Sequence, residues 1–396
     1  MSPHDSGGGS LAPTPQMLRD RAEALVPFLR EQAATHREER RLTPDTIAKV
    51  RDAGLFRVIQ PKRYGGYEMS PSVFTDVLIS LAKGDPSMGF AYGVIAVHAF
   101  HMGFYDERAC LDVWGSDPDA LVASPYIPTG KAKKVEGGYI LNGRWPFSSG
   151  SDNCSWTFLA GVVEGEENLP LFERMRSFLL PREDAKLIDT WHVMGLQGTG
   201  SKDVECVDVF VPEYRVEKFP IFVPEMHPGF KNNNGPLFRT PFLPLFYRAV
   251  SSAALGALEG MLESFCSFQN GRLSVLSLVV AQDPFVQLAT GQAAAGLDEM
   301  KAILKRDLTE MEETIAAGGS FTPQRLQHYM LNSTNVPHRA QELALGLMRA
   351  AGANGIRVDK NISRYYNDIV VIGQHSSNSP KTPGMALGKM LLGVTD

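Results

Sequence analysis

Hydrophobic periodicity changes twice along this 396-residue chain, and those two changes limit its fold more than any single motif. From about Thr14 to Ile59 apolar residues recur three and four apart, as in MLRDRAEALVPFLREQAATHREER. The pattern restarts at LTPDTIAKVRDAGLF, with Pro44 in a first turn after Thr43. A second helical run reaches about residue 116 and is apolar on most faces toward its end, as a buried helix is. Between about 120 and 215 the segments ALVASPYI, KAKKVEGGYILNGRWPFSSG, CSWTFLAGVV, RSFLLP and KDVECVDVFVP are short, rich in Val, Ile and aromatic residues, and broken by Gly and Pro, which predicts strands. Long helical patterns return from about Pro244 to Ala350, with Ala and Gly at close-packing positions. This order predicts an α+β chain. A disordered tail over 1–16 precedes an N-terminal helical domain over 17–119, a central antiparallel β-barrel over 120–230 and a C-terminal four-helix bundle over 231–396.

A chain of this length exceeds what one hydrophobic core usually serves, so it has room to enclose a ligand. Its formal net charge of −5 comes with no block of Lys or Arg. That argues against a nucleic-acid or anionic-membrane surface, both of which need clustered positive charge. Cys110, Cys154, Cys206 and Cys266 are far apart and form no C-x-x-C pair, so neither a zinc cage nor a disulfide framework is expected. No secretory signal or membrane-spanning window is seen, and a cytoplasmic protein acting on a small molecule is the expectation.

General motifs are weak. GLQGTGSKD contains a G-x-G but not at a strand-to-helix turn of a βαβ unit, so no Rossmann site is predicted. His98 and His101 stand three apart on a helix and lack a third ligand for a metal. In WPFSSG the hydroxyls of Ser148 and Ser149 end a strand behind Trp145 and Phe147. That is a place where a hydroxyl and free N–H groups can meet a ring edge while the aromatics wall it off, although Ser-Ser-Gly alone is also an ordinary turn.

Four words in order, AGLFRVIQPKRYGGYEMS, GYILNGRWPFSSG, VMGLQGTGSKDVECVDVFVP and RYYNDIVVIGQH, resemble the acyl-CoA dehydrogenase superfamily over nearly the whole chain after the tail. The resemblance implies an acyl-CoA dehydrogenase-like fold, a flavin between the strand domain and the bundle, and a homotetramer or dimer built through the bundles. It places Ser148 at flavin N5, with Trp145 and Phe147 beside the ring, and Arg272 and Gln282 at the cofactor tail. Asp283, Pro284 and Gln287 depart from the expected glutamine spacing there, and Asn367-Asp368 stands for the family's Arg-Asp pair, with Arg364 nearby as a substitute.

Acyl-CoA dehydrogenases remove a proton with a glutamate, and both of its seats are empty here, reading Ser376 and Tyr247-Arg248. His375 stands beside the first. The chain is therefore similar to the oxygenase components of two-component flavin monooxygenases. These use reduced flavin from a separate reductase and O2, through a C4a-hydroperoxide, to hydroxylate an electron-rich phenol, indole or polycycle. The resemblance implies reduced FAD, with FMN as the alternative, and a small aromatic substrate. It assigns the substrate's oxygen to His375, which draws off the proton, and to Ser124, and gives His98 the flavin pyrimidine edge. Three further readings stand beside it: a dehydrogenase with a relocated base, a monooxygenase acting on N or S, and a flavin binder without turnover.

Overall fold

The structure, a computed structural model, describes residues 12–219, 224–274 and 277–394. The first eleven residues of the expected tail lie outside them, and the helix α1 (Pro15–Ala24) begins inside that tail. Thr14 starts it by accepting the Met17 N–H at 3.2 Å, with Pro15 in the first turn, where a missing N–H costs nothing. Thr43 and Pro44 do the same for α3 (Pro44–Asp52), which follows α2 (Val26–Glu39). The pair α4 (Pro71–Gly84) and α5 (Pro86–Met102) is separated by Asp85, whose carboxylate caps α5. Nearly every residue of α5 is buried, because α4, β1 and the first bundle helices close around it. A short α6 (Glu107–Trp114) ends this layer.

Eight strands follow: β1 (Val122–Ala123), β2 (Gly130–Val135), β3 (Gly138–Ser148), β4 (Trp156–Val163), β5 (Met175–Pro181) after the single turn α7 (Leu171–Arg174), β6 (Lys186–Ile188), β7 (Lys202–Pro212) and β8 (Val216–Lys218). They form one sheet in the order β6-β7-β3-β2-β4-β5-β8, with β1 also on β4. The expected closed antiparallel barrel is corrected on two points: the sheet is open, ending at β6 and β8, and it is mixed, since β4 runs parallel to β1 and β2. The reason is topological. The hairpin from β2 to β3 reverses the chain once, the return into β4 reverses it again, and β4 lies parallel beside β2, leaving the other edge of β3 to β7.

The interior of this sheet is filled by Trp145, fully buried, whose Nε1–H donates to Ala160 O at 2.6 Å. A Cβ added to Gly130 would lie 2.3 Å from its ring. In the bundle, α8 (Phe242–Ser251) leads to the four long helices α9 (Ala253–Gln269), α10 (Pro284–Ala316), α11 (Pro323–Ala351) and α12 (Asn361–Ile372), followed by α13 (Lys381–Leu391). Gly256 and Gly260 let α9 meet the backbone of α4, where a Cβ would fall 2.1 Å from Ile79 O and 2.4 Å from Lys83 O. N-terminal helices and bundle therefore share one core, in which α5 is central.

Candidate active site

The buried end of α5 passes β1, and this brings His98 and Ser124 together across 26 residues of sequence. His98 Nδ1–H donates to Val122 O at 2.7 Å, which fixes the proton of the neutral ring on Nδ1 and makes Nε2 an acceptor. Ser124 Oγ–H then donates to Nε2 at 2.7 Å. Burial lowers the pKa of His98 to about 4, so the ring stays neutral at physiological pH. The one N–H of His98 is spent on Val122, and its acceptor faces Ser124.

His375 sits in a turn after α12 that is tied down by Asn378, whose amide donates to Ile372 O at 2.7 Å and to Val250 O at 3.3 Å. His375 Nδ1 accepts the Ser377 N–H at 3.2 Å, capping a short helical turn. The neutral ring therefore carries its proton on Nε2, and burial lowers its pKa to about 4. A ring whose Nδ1 accepts a backbone N–H offers a donor at Nε2. The neighbouring seats are as empty as the sequence suggests: Ser376 is exposed, and Arg248 is turned inward onto Asp307 at 2.8 Å.

Aromatic rings connect these two polar groups. His375 packs 6.2 Å from Phe246, Phe246 lies 5.5 Å from Tyr126, and Tyr126 meets His98 edge-on at 5.4 Å. Ser124, Tyr126, Phe246 and His375 are each half-buried, whereas Phe242, Phe158 and Phe90 behind them are fully buried. These half-buried side chains, with buried ones behind them, form one partly open aromatic face. Tyr126 and Phe246 are absent from the residues singled out above, although Tyr126 stands two positions after Ser124 and Phe246 directly precedes the vacant Tyr247 seat.

Ser148 ends β3 fully buried, and its Oγ has no partner among the described residues. Next to it Ser149, Ser201 and Thr199 link their hydroxyls at 2.7 Å each, and Gly150 N–H donates to Thr199 O at 2.8 Å. Thr199 and Ser201 belong to the GLQGTGS loop, which is bolted to α12. Leu196 N–H donates to Asp368 Oδ1 at 2.6 Å, and Gly195 is so close that an added Cβ would lie 2.3 Å from Asn367 O. The helix leading to His375 is thereby joined to the turn carrying Ser148. Burial raises Asp368 to about pKa 7, against the pull of Arg364, which lies 3.4 Å from Asp85. Asp85 is itself paired with His36 at 2.7 Å.

Phe147 is 59% exposed and stands 6.2 Å from Trp191, edge to face. Trp145, by contrast, belongs to the sheet interior. Arg272 and Gln282 share the loop between α9 and α10, where Val280 N–H donates to Arg272 O at 3.0 Å. Arg272 Nη1 donates to Gln269 Oε1 at 2.9 Å and Ala351 O at 3.1 Å, and Gln282 is exposed. Neither side chain touches Ser148, Ser124, His98 or His375. Among the described residues no cluster of three or more His, Cys, Asp or Glu could hold a metal, and no helix is long and apolar enough to cross a membrane.

A buried hydroxyl lacking a partner at a strand end, an exposed Phe beside a Trp, and a hydroxyl-lined loop suit the polar edge and flat face of an isoalloxazine, so the residues present fit a flavin. Comparison with known proteins gives the class. Residues 13–103 match the model for the acyl-CoA dehydrogenase N-terminal domain and residues 249–380 that for the C-terminal domain. The chain is 30% identical over 95% of its length to the flavin-dependent monooxygenase oxygenase subunit HsaA of Rhodococcus jostii, covering 99% of it. It is 28% identical, over 95% of its length and 94% of the relative, to a FADH(2)-dependent resorcinol hydroxylase oxygenase component of a Rhizobium. The crystal structure of the 3-HSA hydroxylase of Rhodococcus sp. RHA1 superposes with a TM-score of 0.90, at 29% identity and 99% coverage of both chains. This chain belongs to the acyl-CoA dehydrogenase superfamily, and within it to the oxygenase components of flavin-dependent monooxygenases.

Proposed function

We propose that the chain accepts reduced FAD from a separate flavin reductase and hydroxylates an electron-rich aromatic ring whose O–H or N–H is held at Ser124, with FMN as the alternative cofactor. The observation that carries this reading is the Ser124–His98 pair, anchored on Val122 O and bordered by half-buried aromatic rings, which we read as the wall of a substrate recess. The name of the Rhizobium relative, a FADH(2)-dependent resorcinol hydroxylase, supports both the cofactor and the substrate class. Reduced flavin, when bound, supplies two electrons and activates O2, so that one oxygen atom goes to the ring and the other to water.

The residues of this chain have separate tasks. Ser124 Oγ accepts the hydrogen bond of the substrate's O–H while donating its own hydrogen to His98 Nε2. As the ring gives up electron density its O–H becomes more acidic. Its proton passes to Ser124, and the serine's own proton moves to His98, whose Nδ1–H stays on Val122 O. His375 Nε2–H donates toward the ring's far side or a second oxygen. Ser148 Oγ holds flavin N5, with Phe147 and Trp191 beside the ring, and Arg272 and Gln282 remain the proposed contacts of the cofactor tail. Oligomer formation through the helices, as a homotetramer or dimer, is supported by exposed Met385, Leu391 and Leu392 at the C-terminal end of the bundle. Four free cysteines suit a reducing cytoplasm.

The test supplies the purified chain with chemically reduced FAD, oxygenated buffer and a panel of phenols and indoles. Hydroxylated product in near-stoichiometric yield with the O2 consumed supports the reading. Quantitative H2O2 release with every substrate overturns it.

A further inference from the structure

One buried ionisable group beside this recess has no task in the chemistry above. His101 is fully buried, one helical turn after His98. Its Nδ1 is joined to the Tyr126 hydroxyl by a hydrogen bond of 2.7 Å, and its Nε2 has no partner among the described residues. The rest of its surroundings are aromatic: Phe158 at 4.7 Å, Phe242 at 5.4 Å and Phe219 at 5.8 Å. Burial holds its pKa well below the ordinary histidine value, with His98 and His227 adding to the effect. A neutral imidazole placed among rings with one polar contact is costly unless that contact is needed.

Tyr126 is the other half of the pair. Its hydroxyl is turned away from the recess toward His101, while its ring remains half-buried and borders both ends of the site. The ring stands nearly perpendicular to His98, to Phe219 at 4.9 Å and to Phe246 at 5.5 Å. Without the bond to His101 the phenol would lose a buried partner and would gain by swinging its hydroxyl outward into the recess, since a buried donor left unpaired costs about 1–3 kcal/mol. Phe at 126 would have filled the same volume without needing a histidine behind it, so the O–H and His101 together supply fixation rather than bulk.

We propose that Tyr126, locked by His101, is the specificity-determining wall of the substrate recess, setting how large a ring system can lie against the Ser124–His98 pair. The proposal rests on the substrate reading above. His101 is a positioning residue in it, because it acts only through Tyr126. Loss of the ring opens the space of roughly one additional fused ring beside Ser124. Loss of the lock lets the hydroxyl turn into the recess and narrows the same space.

The experiment measures dissociation constants for 4-methylphenol and 2-naphthol by equilibrium dialysis, without flavin or turnover, together with thermal melts. The readout is the ratio of the two constants, phenol over naphthol. Tyr126→Ala is expected to raise this ratio about tenfold, the effect of a few apolar contacts. His101→Phe is expected to lower it about fivefold, because the unpaired Tyr126 hydroxyl turns into the recess. The double variant His101→Phe with Tyr126→Phe removes both polar groups and keeps the ring, so its ratio returns to within about threefold of the unmodified protein. A merely structural role would lower melting temperature and weaken both ligands alike, leaving the ratio unchanged, and that result overturns the proposal. So does a double variant that keeps the ratio of His101→Phe. If His101→Phe fails to fold, Tyr126→Ala and the double variant decide between the same outcomes. Failure of the unmodified protein to bind either phenol counts against the substrate reading, whereas binding with ratios insensitive to these substitutions counts only against the wall.

Discussion

Side-chain hydrogen bonds, more than residue identities, assign the chemistry at this site. His98 and His375 are both neutral and half or wholly buried, yet one presents an acceptor and the other a donor. The difference is that Val122 O takes the Nδ1–H of His98 while the Ser377 N–H occupies Nδ1 of His375. Both rings also have a thermodynamic consequence. Their folded pKa values of about 4 lie below the ordinary histidine value. The folded state therefore binds fewer protons than the unfolded one between about pH 6.5 and 4, so stability is complete above that window and is lost as pH falls through it. Urea melts should show this fall at about 1.4 kcal/mol per pH unit for each ring. His98→Asn should remove one ring's share, and an unchanged slope in that variant would show that His98 titrates normally. For Ser148, the unpaired Oγ predicts that Ser148→Ala raises the ratio of H2O2 to hydroxylated product several-fold. Equal ratios in the two proteins would show that the hydroxyl takes no part in cofactor binding.

Residues with a distinctive word around them were legible in the sequence: Ser148 in WPFSSG, and His375 beside an empty glutamate seat. What pairs with what was not, because His98 finds Ser124 only when β1 docks on α5. Trp145 and Phe147 differ in burial for a local reason. Alternation along a strand puts residues two apart on one face, but a bulge between Trp145 and Ser148, with Phe147 at a φ of 67°, breaks it. Trp145 goes inward and Phe147 outward. No propensity scale records such a bulge in advance.

Among the elements, the GLQGTGS loop and α12 form the joint on which the site depends. At Gly195 the two backbones touch, and any side chain there must push them apart. Gly195→Ala should cost about 1–3 kcal/mol, as overpacking does, and should increase uncoupled H2O2 release by separating the turn of Ser148 from the turn of His375. A variant with normal melting temperature and unchanged H2O2 release would show that the joint has slack. The open form of the sheet was not foreseen for a related reason: strand patterns reveal which segments are strands, but the parallel placement of β4 beside β2 depends on how the chain returns from β3.

For the whole molecule, the first change of periodicity near residue 120 and the second near 240 correspond to where helices give way to strands and strands to helices. The helical and strand layers were accordingly legible from hydrophobic spacing alone, whereas the recess between them, made by side chains from α5, β1, α8 and the turn after α12, was not. The exposed apolar residues of α13 and of the start of α10, Phe285 and Leu288, predict association through the helical layer. Sedimentation at micromolar concentration should give a dimer or tetramer, and Leu391→Glu with Leu392→Glu should shift it toward monomer. A monomeric unmodified protein would remove that assignment.

The unclosed sheet bears on the same question from the opposite side. A sheet with free edges can recruit further strands from other copies and grow without limit. Here each outer strand is only three residues long and carries an exposed lysine, Lys186 on β6 and Lys218 on β8. Strand-by-strand accretion is thus denied at both ends. Self-association is left to faces that close on themselves, which disfavours fibre growth.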